Sequence, residues 1–201
     1  MILSRTGNNS LMLGTVQSAG AAAAVVGGIG MSVWGGFKRR VHGVLLGWLF
    51  SSLGGYVLFG LGASLVVWIP AAVLGGLFGP LINSSNQAIW QAKVAPDVQG
   101  RVFSARRLIA WFTNPISPLI AGTMADYVLE PAMQGQTALA SVFGGLFGTG
   151  PGAGMGLLIS LCGIGGALVG LCGYLIPAIR NAEDLLPDHD QDASLDAAGT
   201  A

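Results

Sequence analysis

"NSSNQAIWQAKVAPDVQGRVFSARR", residues 83–107, places amides, a Pro-Asp turn and four cations between two long apolar runs. The run before it reads "LVVWIPAAVLGGLFGPLI" (65–82), and the run after it "LIAWFTNPISPLIAGTM" (108–124). A polar corner between apolar runs suits a helical hairpin in a bilayer: the helices satisfy their own backbone in hydrocarbon and the corner reaches water.

Composition extends this reading to the whole chain. Residues are 52% apolar and 9% charged, with mean hydropathy +0.67, whereas roughly a quarter of an ordinary soluble domain is charged. Nine basic residues balance nine acidic ones, so the chain lacks the basic stripe of a nucleic-acid-binding face. Cys162 and Cys172 lie ten apart in one apolar run, too far along a helix to bridge.

A span needs about 20 mostly apolar residues. On that rule five are expected, near 11–36, 43–62, 65–90, 103–125 and 152–178, giving an all-α membrane fold. None shows the period-2 alternation of a membrane strand. The first run is too long for a secretory signal, and its basic residues follow it rather than precede it. Lys38, Arg39 and Arg40 fall between the first two spans, Lys93, Arg101, Arg106 and Arg107 between the third and fourth, and Arg180 after the fifth. Arg5 alone falls on the other side. The bias of Lys and Arg toward cytoplasmic loops therefore predicts a multi-pass inner-membrane protein with these eight cations inside. Residues 1–10 and 126–151 are expected outside, and the acidic tail 179–201 inside and disordered.

Small residues four apart, at Ala24 and Gly28, Ser51 and Gly55, Gly152 and Gly156, and Gly166 and Gly170, mark faces where helix backbones can approach closely. Asn83, Asn86 and Gln87, with Gln91 a turn further on, recur along one face of the third span. Such a face belongs against other helices or a wet cavity, as interhelical glue, a gate contact or a substrate contact. Trp90 fits an interfacial anchor. Pro96-Asp97 stops the helix, Gly100 permits the turn, and Arg101 with Asp97 offers an ion pair that could form in one conformation and break in another. Pro115 and Pro118 interrupt the fourth span beside Thr113, Asn114 and Ser117, which can satisfy freed backbone groups, so this segment is read as a kink, a hinge or a cavity wall.

Three segments carry a resemblance. "GGFKRRVHG" (35–43) resembles the Gly-and-basic loop motif of the major facilitator superfamily of secondary transporters. "QAKVAPDVQGRVFSARR" (91–107) is similar to the loop between helices ten and eleven in its macrolide-efflux and siderophore-export branch, and "NPISPLIAGTMADYV" (114–128) looks like helix eleven. The resemblance implies helices eight to twelve of a twelve-helix fold of two halves, with a substrate cavity between them near the midplane. Helices one to seven would then come from a longer chain or a partner chain. The implied activity is efflux of a small amphipathic molecule by alternating access, with Asn83, Asn86, Gln87, Gln91, Asn114, Pro115 and Pro118 as substrate or gating candidates. Lys38, Arg39, Arg40, Asp97, Arg101, Arg106 and Arg107 would form a loop charge network.

The alternative is a non-transporting membrane subunit or truncated remnant that packs a partner through glycine-rich faces. An enzyme is not expected, because no span holds His, Asp or Glu at its middle. Asp126 and Glu130 fall at or beyond an outer helix end, where a solvated or lipid-interface role is expected, and the Gly-rich apolar segment 132–151 reads as lying on or dipping into the outer surface, as a passive loop or a lid. His42 and His189 lack ligand-spaced partners, so neither metal nor cofactor is expected. A Walker-type phosphate loop is also missing.

Overall fold

The computed structural model describes residues 1–135, 137–185 and 189, and every regular element among them is helical. In chain order these are α1 (Ile2–Arg5), α2 (Ser10–Trp34), α3 (Arg40–Phe50), a π-helical segment (Ser51–Val57), α4 (Leu58–Leu61), α5 (Leu65–Lys93) and α6 (Pro96–Met124). A second π-helical segment (Ala125–Leu129) leads into α7 (Glu130–Gln134), α8 (Ala138–Phe147), α9 (Ala153–Leu175), α10 (Pro177–Arg180) and α11 (Ala182–Leu185).

Among the described residues, four helical stretches are long and apolar enough to cross a membrane: α2, the continuous run Arg40–Leu61, α5 and α9. The expected span at 103–125 is helical over its length but does not join them. Cations occupy its first turns, and Thr113, Asn114, Pro115, Ser117 and Pro118 dilute its apolar half.

Local chemistry sets the ends. Asn9 caps α2 by accepting from the Met12 amide at 3.2 Å. Gly35, at φ 76°, closes that helix by returning its amide to the Met31 carbonyl. Pro96 opens α6, where its missing N–H costs nothing.

α5 lies between α2 and α3, and the run from α3 through α4 packs in turn on α9. α2 and α5 meet backbone to backbone. A Cβ on Gly27 would stand 2.5 Å from the Leu77 carbonyl oxygen, and one on Gly76 would collide with the Gly20 carbonyl. The small residues doing this on α2 are Gly20, Ala23 and Gly27; Gly28, expected at the contact with Ala24, has open space where a Cβ would be. Ser51 and Gly55 are buried as that pairing requires, and Gly156 and Gly170 bury against Gly60 and Leu45. Cys162 and Cys172 are both exposed on α9.

Two apolar clusters lie at the end of the bundle away from Lys38, Arg39 and Arg40: Ile2, Val16 and Trp68, and Leu129, Met133, Ala153 and Leu157. Most of the remaining large apolar side chains face outward. α6 buries none of its residues.

Candidate functional site

The basic end of the bundle is tied together by charge and by helix ends. Arg40 opens α3 and sends its guanidinium to the Ala88 carbonyl of α5 at 2.9 Å. Its own amide donates to Glu183 at 3.1 Å, and the Val41 amide reaches the other carboxylate oxygen at 3.5 Å. Glu183 thus supplies, from α11, the acceptor that α3 lacks locally, since Arg39 at the N-cap offers none. Lys93, at the end of α5, donates to the Glu183 carbonyl at 2.9 Å, and Arg39 pairs with Asp184 at 3.1 Å. His42 and Tyr174 stack, with Nδ1 and the phenol oxygen 3.1 Å apart.

These contacts gather Arg39, Arg40, Lys93, Glu183 and Asp184 at one end, as the alternation of cations along the sequence requires. They also show that the acidic segment expected to be disordered from 179 contains a short helix, α11, docked on the basic loop through Glu183 and Asp184. The rest of that expectation, 186–188 and 190–201, lies outside the described residues.

Asn83 is exposed and turns its amide back to the Gly79 carbonyl at 3.0 Å, a local bond rather than an interhelical one. Asn86 is half-buried, and Gln87 and Gln91 are exposed. Asp97 and Arg101 form no ion pair among the described residues; the ion pair at this end is Arg39 with Asp184. Instead the corner is held by Gln99, whose amide donates to the Gln91 and Val94 carbonyls at 3.1 and 2.8 Å. Trp90 carries the Arg106 guanidinium 4.3 Å above its ring centroid. Gln87, Arg106 and Arg107 line one cleft, of about 500 Å³, between α5 and α6.

Asn114, Pro115 and Pro118 lie on the exposed helix α6, away from that cleft. The helix continues through both prolines, with Thr113 and Ser117 hydroxyls donating one turn back to the Ile109 and Thr113 carbonyls at 2.7 and 3.0 Å.

Half-way along the bundle, the widened turns at Ser51–Val57 border a cavity of about 330 Å³ between this segment and α5. Ser51, Gly55, Tyr56, Phe59, Ala72 and Gly75 line it, an apolar wall with two hydroxyl groups. π-helical turns inside α-helices occur often at functional sites. Ser52, on the face toward α9, has a buried hydroxyl without a partner, and Trp68 has an unpartnered indole N–H.

At the far end, two charges cap helices in trans. Arg5 donates to the carbonyls of Gly62, after α4, and Phe147, at the end of α8, the latter at 2.9 Å. Glu130 accepts from the amides of Gly152 and Gly154, the latter at 3.0 Å, and from Gln134 at 3.0 Å. A cation at carbonyl ends and a carboxylate at an amide end both suit the helix dipole. Burial lowers the Arg5 pKa from its ordinary value, and the Glu130 charge works against that shift. Sequence spacing gives no sign of these caps, because each joins elements far apart in the chain; the only hint is the scarcity of charge.

The described residues therefore define a helical bundle with four helices of membrane-crossing length and a basic end. Comparison with protein-family models, curated proteins and solved structures gives no match.

Proposed function

We propose that the chain forms part of a major-facilitator-type secondary transporter, exporting a small amphipathic molecule by alternating access, with its basic end in the cytoplasm. The observation that carries this reading is the cavity beside Ser51–Val57, half-way between the Arg40 and Leu61 ends of a run long enough to span a bilayer. Its volume, about 330 Å³, falls at the small end of ligand pockets, and its apolar wall with the hydroxyls of Ser51 and Tyr56 suits an apolar body with one polar group. The orientation rests on the cation bias. The sequence resemblance at 91–107 supplies the family.

The test is efflux of a fluorescent amphipathic amine in inverted vesicles from cells expressing the native gene in its full reading frame. Gly75→Leu fills the cavity from a position where an added Cβ meets only Gly55 at 3.8 Å. Loss of efflux with unchanged membrane content supports the reading. Equal transport by this variant, or none by the parent, removes it.

A second reading, a non-transporting subunit that packs a partner, is favoured by α6, which leaves every residue unburied. Co-purification of a helical partner without efflux activity distinguishes it.

A further inference from the structure

The cleft between α5 and α6 has the chemistry of an anion site, and its position along α6 narrows the anion. Gln87, Phe103, Ser104, Arg106, Arg107 and Trp111 are its principal walls, and no carboxylate lines it among the described residues. The Ser104 hydrogen is already given to the Gly100 carbonyl at 2.7 Å, so the available donors are the Arg106 and Arg107 guanidiniums and the Gln87 amide. Arg106 is held in place by Trp90 at 4.3 Å, whereas Arg107 has no partner among the described residues.

Arg107 is also the last cation before the apolar half of α6, so the cleft sits where polar sequence gives way to Leu108, Ile109, Trp111 and Phe112. All four are exposed, each by more than two-thirds. An inorganic anion would use the guanidiniums alone. A lipid would use both parts, with its phosphate between the arginines and its acyl chains along the exposed apolar surface, and basic clefts between helices suit such headgroups.

We infer that Arg106, Arg107 and Gln87 form a binding site for the phosphate of an anionic glycerophospholipid, with the acyl chains lying along Leu108–Phe112. This needs the chain to reside in a bilayer but not to transport anything, so it can stand or fall apart from the transporter reading. Arg107 supplies the charge, Arg106 is a positioned second donor, and Gln87 closes the cleft from α5.

The experiment uses the full chain, with Trp34 and Trp48 replaced by phenylalanine, in mixed micelles containing phosphatidylcholine with brominated acyl chains, which quench the exposed Trp90 and Trp111. Unbrominated phosphatidylglycerol is titrated in, and recovery of fluorescence reads displacement at this surface. Phosphatidylglycerol should displace more strongly than unbrominated phosphatidylcholine, and Arg107→Gln should reduce that preference about fivefold, the effect of one basic residue near an anionic headgroup. Arg107→Lys should retain most of it, and Arg180→Gln, an exposed cation elsewhere at the same end, should leave it unchanged.

Equal displacement by the two lipids would overturn the inference. So would a preference that survives Arg107→Gln, or one that falls equally with Arg180→Gln. Abolition of the preference by inorganic phosphate at the lipid's own concentration would assign the cleft to a soluble anion instead. Retained fluorescence from buried Trp68 in each variant shows that the bundle is intact.

Discussion

Two adjacent glycines on α2 test whether the bundle is held by backbone contact. Gly27 faces α5, where an added Cβ would lie 2.5 Å from the Leu77 oxygen and 3.2 Å from its carbonyl carbon; Gly28 has nothing within 4 Å. Both replacements by alanine gain the same intrinsic helix propensity, about 1 kcal/mol. Gly28→Ala should therefore stabilise the protein slightly or leave it unchanged. Gly27→Ala must push α2 away from α5, because the atoms it meets are backbone and cannot rotate aside. Overpacking of this kind costs about 1–3 kcal/mol, and backbone neighbours place it at the upper end. The two variants should differ by about 2–3 kcal/mol, a difference from which the propensity gain cancels. Unfolding in mixed micelles of a mild detergent and dodecyl sulfate, followed by tryptophan emission, measures it. Trp68 is completely buried and packs on Val16 of α2, so in a background where Trp34, Trp48, Trp90 and Trp111 are phenylalanine its emission reports the separation of these two helices. Indistinguishable midpoints for Gly27→Ala and Gly28→Ala would refute the close approach of α2 and α5.

Glu130→Ala should lower stability by about 2 kcal/mol, because two amides at the start of α9 lose a charged acceptor, and Glu130→Gln should lower it by roughly half as much; the same titration reads both. Arg5→Met should loosen α8, seen as faster amide exchange at 138–147 than in the parent, since the guanidinium joins the Phe147 and Gly62 carbonyls. Asp184→Asn should cost under about 1 kcal/mol, because its pair with Arg39 is exposed on both sides, whereas Glu183→Ala should cost more by uncapping α3. Single cysteines at Lys38 and Gly7, in a variant lacking Cys162 and Cys172, should label with an impermeant maleimide from opposite faces of vesicles; labelling from one face would overturn the proposed orientation.

The helices were legible because apolar length is a property of contiguous sequence. Residues 11–36, 43–62, 65–90 and 152–178 each fall on a helix of membrane-crossing length, with boundaries differing by a few residues. The alternation of cations was legible for the same reason, and Arg39, Arg40 and Lys93 do share one end. Contacts made across the chain were not. Glu130 was expected to be solvated or at the lipid interface and instead caps α9, and Glu183, in a segment expected to be disordered, caps α3. In both cases the partner is a backbone amide, which every residue but proline carries, so no sequence pattern marks it. The choice of Gly27 over Gly28 failed for a related reason: in a chain with 33 glycines, spacing proposes many close approaches, and the rotation of the helix selects among them.

α6 is the element for which neither sequence nor bundle accounts fully. Its apolar half would be at home in hydrocarbon, yet it carries exposed Asn114, and Pro115 and Pro118 remove the amides that would reach the Trp111 and Asn114 carbonyls. The hydroxyls of Thr113 and Ser117 serve other carbonyls, at Ile109 and Thr113. Facing lipid, an amide and two under-bonded carbonyls would each be costly, so the helix needs either water or another helix along that side. α2, α3, α5 and α9 pack on one another and leave α6 uncovered. This is the condition expected of a helix that completes its packing against helices from outside the bundle, and it is why the transporter and subunit readings both call for further helices against the same surface.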